Sequence, residues 1–160
     1  MTNRHLHRSE LYGKTKELRL QGKRIVTING AFDLCHIGHI RTLQKARELG
    51  DVLIVGVNSD STVRSTKGAD RPVINESDRM ETLLSLECVD YVHLFDEADP
   101  VNFLGEVRPD IHVNSSEYGK EPIEKKVLDK YGSKLYLITN EGEVSTSSII
   151  RDIKDATKLQ

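Results

Sequence analysis

At 160 residues with 37% hydrophobic content, the chain suffices for one core and is too short for two full domains. Two cysteines exclude a disulfide framework and no apolar run is long enough to span a membrane, so a soluble, cytoplasmic protein with reduced thiols is expected. The net charge of −2 is uneven: residues 1–24 hold seven Lys/Arg against two Glu, a balance of +5 that leaves −7 for the rest. That balance calls for neither nucleic acid nor membrane as a partner.

The chain divides into a basic helical leader, residues 1–24, and a main domain, residues 25–160. Within the leader, residues 9–21 are expected to form a helix, with Ser9 as cap and Gly22 as stop. Leu11, Leu18 and Tyr12 are its candidate packing residues, and the rest reads as a solvated face.

Ile25–Ile28 is an apolar strand, Asn29–Asp33 a sharp turn, and His36-Ile37-Gly38-His39 opens a helix that ends at Gly50. Val52–Val57 follows as a second apolar strand, as expected for parallel pairing buried on both faces. Strand, turn, helix and parallel strand make one βαβ unit, whose helix start presents free backbone N–H groups. His36 and His39, three residues apart, share one face of the first turn and can address one object beyond it. Gly38 between them leaves the backbone open to a ligand. Taken alone the pair fits a helix cap with two surface histidines equally well, but the flanking strands favour phosphate binding. A metal is the weaker reading, because structural zinc wants four ligands.

The run Gly30-Ala31-Phe32-Asp33-Leu34-Cys35-His36-Ile37-Gly38-His39 resembles the signature of the nucleotidyltransferase superfamily with an H-x-G-H motif. It is most similar to the short cytidylyltransferase-like group, which includes adenylyltransferases of heptose 1-phosphate and cytidylyltransferases of glycerol 3-phosphate. The resemblance runs from about Ile25 to Ile153. It implies a Rossmann-like three-layer α/β sandwich with a five-stranded parallel sheet. His36 and His39 would then stabilise the α-phosphate region, and Gly30, Ala31, Phe32 and Gly38 would line the nucleotide site. Asp33 would face the acceptor or its metal.

After the second strand comes a polar segment, read as a loop, that holds Arg64, Lys67 and Arg71. Such loops sit where open α/β sheets bind ligands, and three cations there suit a polyphosphate. By resemblance, Lys67 and Arg79 inherit triphosphate contacts, with Arg64 and Arg71 as weaker candidates. Residues 76–87 read as a helix capped by Asn75, Val89–Phe95 as a third strand containing a structural His93, and Asp99–Val107 as a short helix. Ile111–Asn114 is the fourth strand, Pro122–Tyr131 a helix and Leu135–Ile138 the fifth strand. The resemblance puts Glu117 at the nucleotide ribose and Asn114 at the acceptor, where the heptose enzymes carry lysine. Ser145, Thr146 and Ser147 read first as a helix cap; by resemblance they face the β- and γ-phosphates.

The implied reaction is transfer of NMP from ATP or CTP, with Mg²⁺, to a phosphorylated sugar or polyol, releasing pyrophosphate, in a homodimer. Heptose 1-phosphate with ATP is the nearest pattern, and CTP with glycerol 3-phosphate or a small phosphonate the alternative. A nucleotide-binding module without turnover is the alternative from another class.

Overall fold

The computed structural model describes residues 4–115, 122–139 and 144–157. Five strands, β1 (Ile25–Gly30), β2 (Val52–Asn58), β3 (Tyr91–Phe95), β4 (Ile111–Ser115) and β5 (Lys134–Ile138), form one sheet in the order β3-β2-β1-β4-β5. All pairs are parallel, and β1 runs in register with β2 from Ile25 opposite Val52 to Gly30 opposite Val57. The expected five-stranded parallel sheet is therefore observed.

Alternation along each strand feeds two separate cores. Val26 and Ile28 of β1, with Leu53, Val55 and Val57 of β2, pack against Leu43 and Ala46 of α2 (Ile37–Glu48) and Leu83 of α4 (Glu76–Leu84). Ile25, Val52 and Ile54 point the other way. They meet Leu11 and Leu18 of α1 (Arg8–Leu20), Phe103 of α5 (Val101–Val107) and Leu128 of α6 (Lys125–Tyr131). Helices on both faces make the three-layer sandwich. No helix among the described residues is long and apolar enough to cross a membrane.

The leader packs on the sheet through Leu11 and Leu18, as expected, and its solvated reading fails at further positions. Leu6, Leu11, Thr15 and Leu18 are buried, while Tyr12 is exposed. Arg4 turns inward to donate to the carbonyls of Leu84, Val89 and Asp90, and Leu6 N–H donates to Val92 O beside edge strand β3. Helix α1 starts one residue earlier than expected: His7 is the N-cap, and its N–H donates to Glu10 Oε2 at 2.8 Å.

The segment read as a loop after β2 is also different. It folds as α3 (Asp60–Lys67), capped by Ser59, whose Oγ accepts from Thr62 N–H. Gly68 stops it at φ +103°, a conformation that residues with a Cβ rarely adopt. Helix α6 begins at Lys125 rather than at Pro122.

Between β1 and β4 the order of connection reverses. In open parallel sheets the crevice at such a reversal, outside the strands' carboxyl ends, is where ligands bind. The turn after β1, the end of β4 and the starts of α2 and α7 (Thr146–Thr157) all meet there.

Candidate active site

His36 is the N-cap of α2, in extended conformation, and its Nδ1 accepts the Gly38 N–H at 3.1 Å. A neutral imidazole accepting at Nδ1 carries its proton on Nε2. The bond folds the ring back over the first turn, so a Cβ on Gly38 would lie 2.9 Å from His36 Cε1. A side chain on Gly38 would therefore have to shift the His36 ring.

The His36 and His39 rings stack with centroids 3.9 Å apart and 27° between planes. Two imidazolium charges at that distance would repel by about 4 kcal/mol at an effective dielectric near 20, so both cannot be protonated. Burial, then the neighbouring His36 and Lys67, lowers the His39 pKa to about 4, with the Leu34 backbone opposing; burial lowers that of His36. Both rings are therefore neutral near pH 7 and add no charge at rest; His36 can donate from Nε2, and His39 Nδ1 is buried without a partner. Phe32 meets His39 edge to face, with ring centroids 5.3 Å apart. Its φ of +48° is unusual for a residue with a Cβ, and such conformations concentrate at functional turns.

A cavity of about 800 Å³ opens from these rings. Gly30, Ala31, Phe32, Asp33, Gly38, Lys67, Asn114, Ser145, Thr146 and Ser147, all expected from the sequence, line it with the two histidines. Glu117 lies outside the described residues.

Arg79 is not among them. Its side chain is fully buried, donating Nε–H to Ile74 O and Nη2–H to Asn58 O and Asp60 Oδ1, and Nη1–H to Ala31 O. It staples the ends of β1 and β2 to α3 and α4, and its guanidinium does not border the cavity where a pyrophosphate contact was expected. Arg71 lines the cavity instead, with its Nη2 buried and unpaired.

Asp33 is also different from expectation. Its side chain is 1% exposed; Oδ2 accepts from Arg71 Nε at 2.6 Å and Oδ1 from the N–H groups of Val73 and Ile74. Burial pushes its pKa up, but the Ile74 and Val73 N–H groups and the Arg71 guanidinium outweigh it, leaving the carboxyl below its usual value. It is an ionised anchor for Arg71 rather than a group open to an acceptor or metal.

Asn114 reaches the cavity while donating from Nδ2 to Glu124 Oε1 at 3.3 Å. Ser145 and Ser148 cap each other, each backbone N–H donating to the other's hydroxyl at 2.9 and 3.1 Å. The capping reading of this segment is therefore observed, and the same residues border the cavity. Lys67, last residue of α3, has its pKa lowered by burial, then by Arg71, an arrangement eased by a bound anion. Arg64, one turn earlier, is exposed and outside the cavity.

Arg41, Thr42 and Lys45 also line the cavity and were not singled out. Their signal is the spacing i, i+1, i+4 on the helix the histidines open. Among the described residues no group of three or more His, Cys, Asp or Glu converges on a metal.

Residues 27–153 match the family model for cytidylyltransferase-like proteins. The chain belongs to the cytidylyltransferase-like family. It is 44% identical over 140 residues to the bifunctional protein HldE of Geotalea uraniireducens, covering 87% of this chain and 29% of that protein. With HldE of a Nitratiruptor species it shares 54% over 110 residues, 68% of this chain and 24% of that protein. The chain thus spans under a third of the curated relatives it matches.

Among solved structures, a lipopolysaccharide core biosynthesis protein from Thermoplasma volcanium superposes with a TM-score of 0.64 at 30% identity, over 77% of this chain and all of that one. Pantoate-beta-alanine ligase from Francisella tularensis gives a TM-score of 0.61 at 12% identity, over 89% of this chain and 69% of that one, a likeness of fold. Membership of the family agrees with the resemblance read from Gly30–His39.

Proposed function

We propose that the chain transfers NMP from an NTP to a phosphorylated sugar, with ATP and heptose 1-phosphate as the leading pair. An oxygen of the acceptor phosphate attacks the α-phosphorus; the bond from that phosphorus to the α,β-bridging oxygen breaks, and its electrons leave with pyrophosphate. No side chain acts as nucleophile, so catalysis is positioning and stabilisation of developing charge. His36 and His39, as neutral donors, bind the α-phosphate region where that charge grows. Lys67 and Arg71 hold the departing pyrophosphate, and the N-terminus of α7 with Ser145–Ser147 receives the terminal phosphates. Asp33 fixes Arg71. Among the described residues Asp33 is the one carboxylate bordering the cavity, and it is bonded to Arg71; in this reading Mg²⁺ arrives on the triphosphate as part of the substrate.

The observation that carries this reading is one cavity bordered by the stacked His36–His39 pair, Lys67, Arg71 and the start of α7. The similarity to HldE proteins supports the family reading, and the resemblance to heptose 1-phosphate adenylyltransferases suggests the acceptor class. A second reading, CTP with glycerol 3-phosphate or a small phosphonate, is favoured by Asn114, which stands where the heptose enzymes have lysine. Pyrophosphate release over four NTPs and a panel of phosphorylated acceptors tests both. A response limited to ATP with heptose 1-phosphate is expected; a response limited to CTP moves the assignment to the second reading, and silence across the panel ends it.

The chain works as a cytoplasmic homodimer in this reading. Its two free cysteines fit a reducing compartment. Edge strand β5 exposes Tyr136 and Leu137, and α7 buries no residue despite Ile149, Ile150 and Ile153 on it. Light scattering should give twice the 18.1 kDa chain mass; a monomer at micromolar concentration removes the dimer.

A further inference from the structure

At the opposite rim of the sheet, where β1, β4 and β5 begin, lies a second cleft of about 660 Å³. It is lined by Lys16 and Arg19 of α1, by Arg24, by Arg108 and by Lys134, against one carboxylate, Asp110. Asp110 is already engaged, its Oδ2 accepting the Ile25 N–H at 2.7 Å.

Part of this positive charge has a local explanation. Helices α1, α5 and α6 all end at this rim, and cations suit the partial negative charge of helix C-termini. Arg19 Nη2 donates to the carbonyls of Val107 and Arg108 at the end of α5, and Arg108 Nε–H donates to Gly105 O while its guanidinium lies 4.6 Å from the Tyr131 ring centre. Lys16, Arg24 and Lys134 remain. Their exposed side chains have no hydrogen-bond or ion-pair partner among the described residues. The last-turn effect of a helix does not require three further cations around one cavity.

We infer that this cleft is a second binding site, separate from the histidine cavity, for a small molecule carrying a di- or triphosphate group. Ammonium and guanidinium groups lining one cleft suit a multiply charged, compact anion better than a single carboxylate. The volume fits a nucleotide-sized ligand. Tyr12 and Tyr131 stand in its wall beside Arg108 and give a planar ring a surface to stack on. Tyr12, Lys16, Arg19, Leu20 and Arg24, five of the eleven lining residues, precede the stretch that matches the family model.

The test is titration of the isotopically labelled full chain with sodium tripolyphosphate and, separately, with ATP, followed by backbone amide shifts. Tripolyphosphate should move amides at Lys16–Arg24, Arg108–Asp110 and Gly132–Lys134, as a set distinct from any at Gly38 and His39. In the Lys16→Ala/Lys134→Ala variant, whose ligand-free spectrum reports folding, affinity at the rim should fall at least about tenfold. The Gly38 response should persist there, which separates failure of this site from failure of the nucleotide site. Tighter binding of ATP than of tripolyphosphate assigns a nucleotide to the cleft; equal binding assigns the polyphosphate group alone. Shifts confined to the histidine cavity, or unchanged affinity in the variant, overturn the inference.

Discussion

Asp33 and Arg71 are joined by a 2.6 Å ion pair that ties the turn after β1 to the segment ahead of α4. The pair uses Nε of Arg71 and leaves Nη2 buried and unpaired at the cavity wall. A buried donor without a partner is costly, and a phosphate oxygen would satisfy it. Arg71→Ala is therefore expected to raise KM for the NTP at least about tenfold. Asp33→Asn, which loosens the arginine without removing it, should raise KM by less and lower thermal stability. Steady-state kinetics with NTP varied checks both; a wild-type KM in Arg71→Ala would discard the contact.

Arg79 leads to the opposite pattern. Four bonds to carbonyl and carboxylate oxygens make it a structural staple, and removing one partner of a buried charged network costs about 3–5 kcal/mol. Arg79→Met should lose stability of that order in urea denaturation. A variant as stable as wild type but inactive would return Arg79 to the substrate.

His39→Ala should lower kcat by about 10²-fold, a typical effect of deleting one donor to developing charge, with the fold intact by circular dichroism. Gly38→Ala is expected to reduce activity through geometry alone, because its Cβ would displace the His36 ring that lies 2.9 Å away. Retained turnover in His39→Ala would remove the nucleotidyl-transfer reading.

Stability should depend on pH through His112. This ring is wholly buried on β4, with Nδ1 at 2.9 Å from Thr27 Oγ1 and Nε2 unpaired, and burial lowers its pKa to about 4. In the unfolded chain it titrates near 6.5, so between pH 6.5 and 4 the unfolded state binds the extra proton. The stabilisation is complete above pH 6.5 and is lost as the pH falls through 4, on the order of 3 kcal/mol at about 1.4 kcal/mol per unit. His39 and His93, also depressed, act in the same direction. Urea midpoints at pH 7 and pH 4.5 measure the slope. The Thr27→Val/His112→Leu variant, which removes both polar partners together, should flatten it; an unchanged slope would exonerate His112.

The βαβ unit, the parallel sheet and the histidine pair were legible in the sequence. Apolar runs at Ile25–Ile28 and Val52–Val57 have no polar face to expose, and a helix start between them has one geometry. The positions of Gly30–Gly38, Lys67 and Ser145–Ser147 around one cavity followed from family resemblance to that unit. Helix α3 was not legible: Asp60–Lys67 has few apolar residues, and its cap at Ser59 carries more of the signal than its periodicity.

What the tertiary structure alone decided is the division of labour among charges. Arg71 and Arg79 lie eight positions apart with the same chemistry, yet one keeps an unpaired donor at the cavity and the other spends its guanidinium on three backbone carbonyls and the Asp60 carboxylate. Local sequence determines which way a strand or helix turns its apolar face, because that depends on near neighbours. Which cation is desolvated, and which loop oxygens reach it, depends on segments tens of residues apart meeting in space.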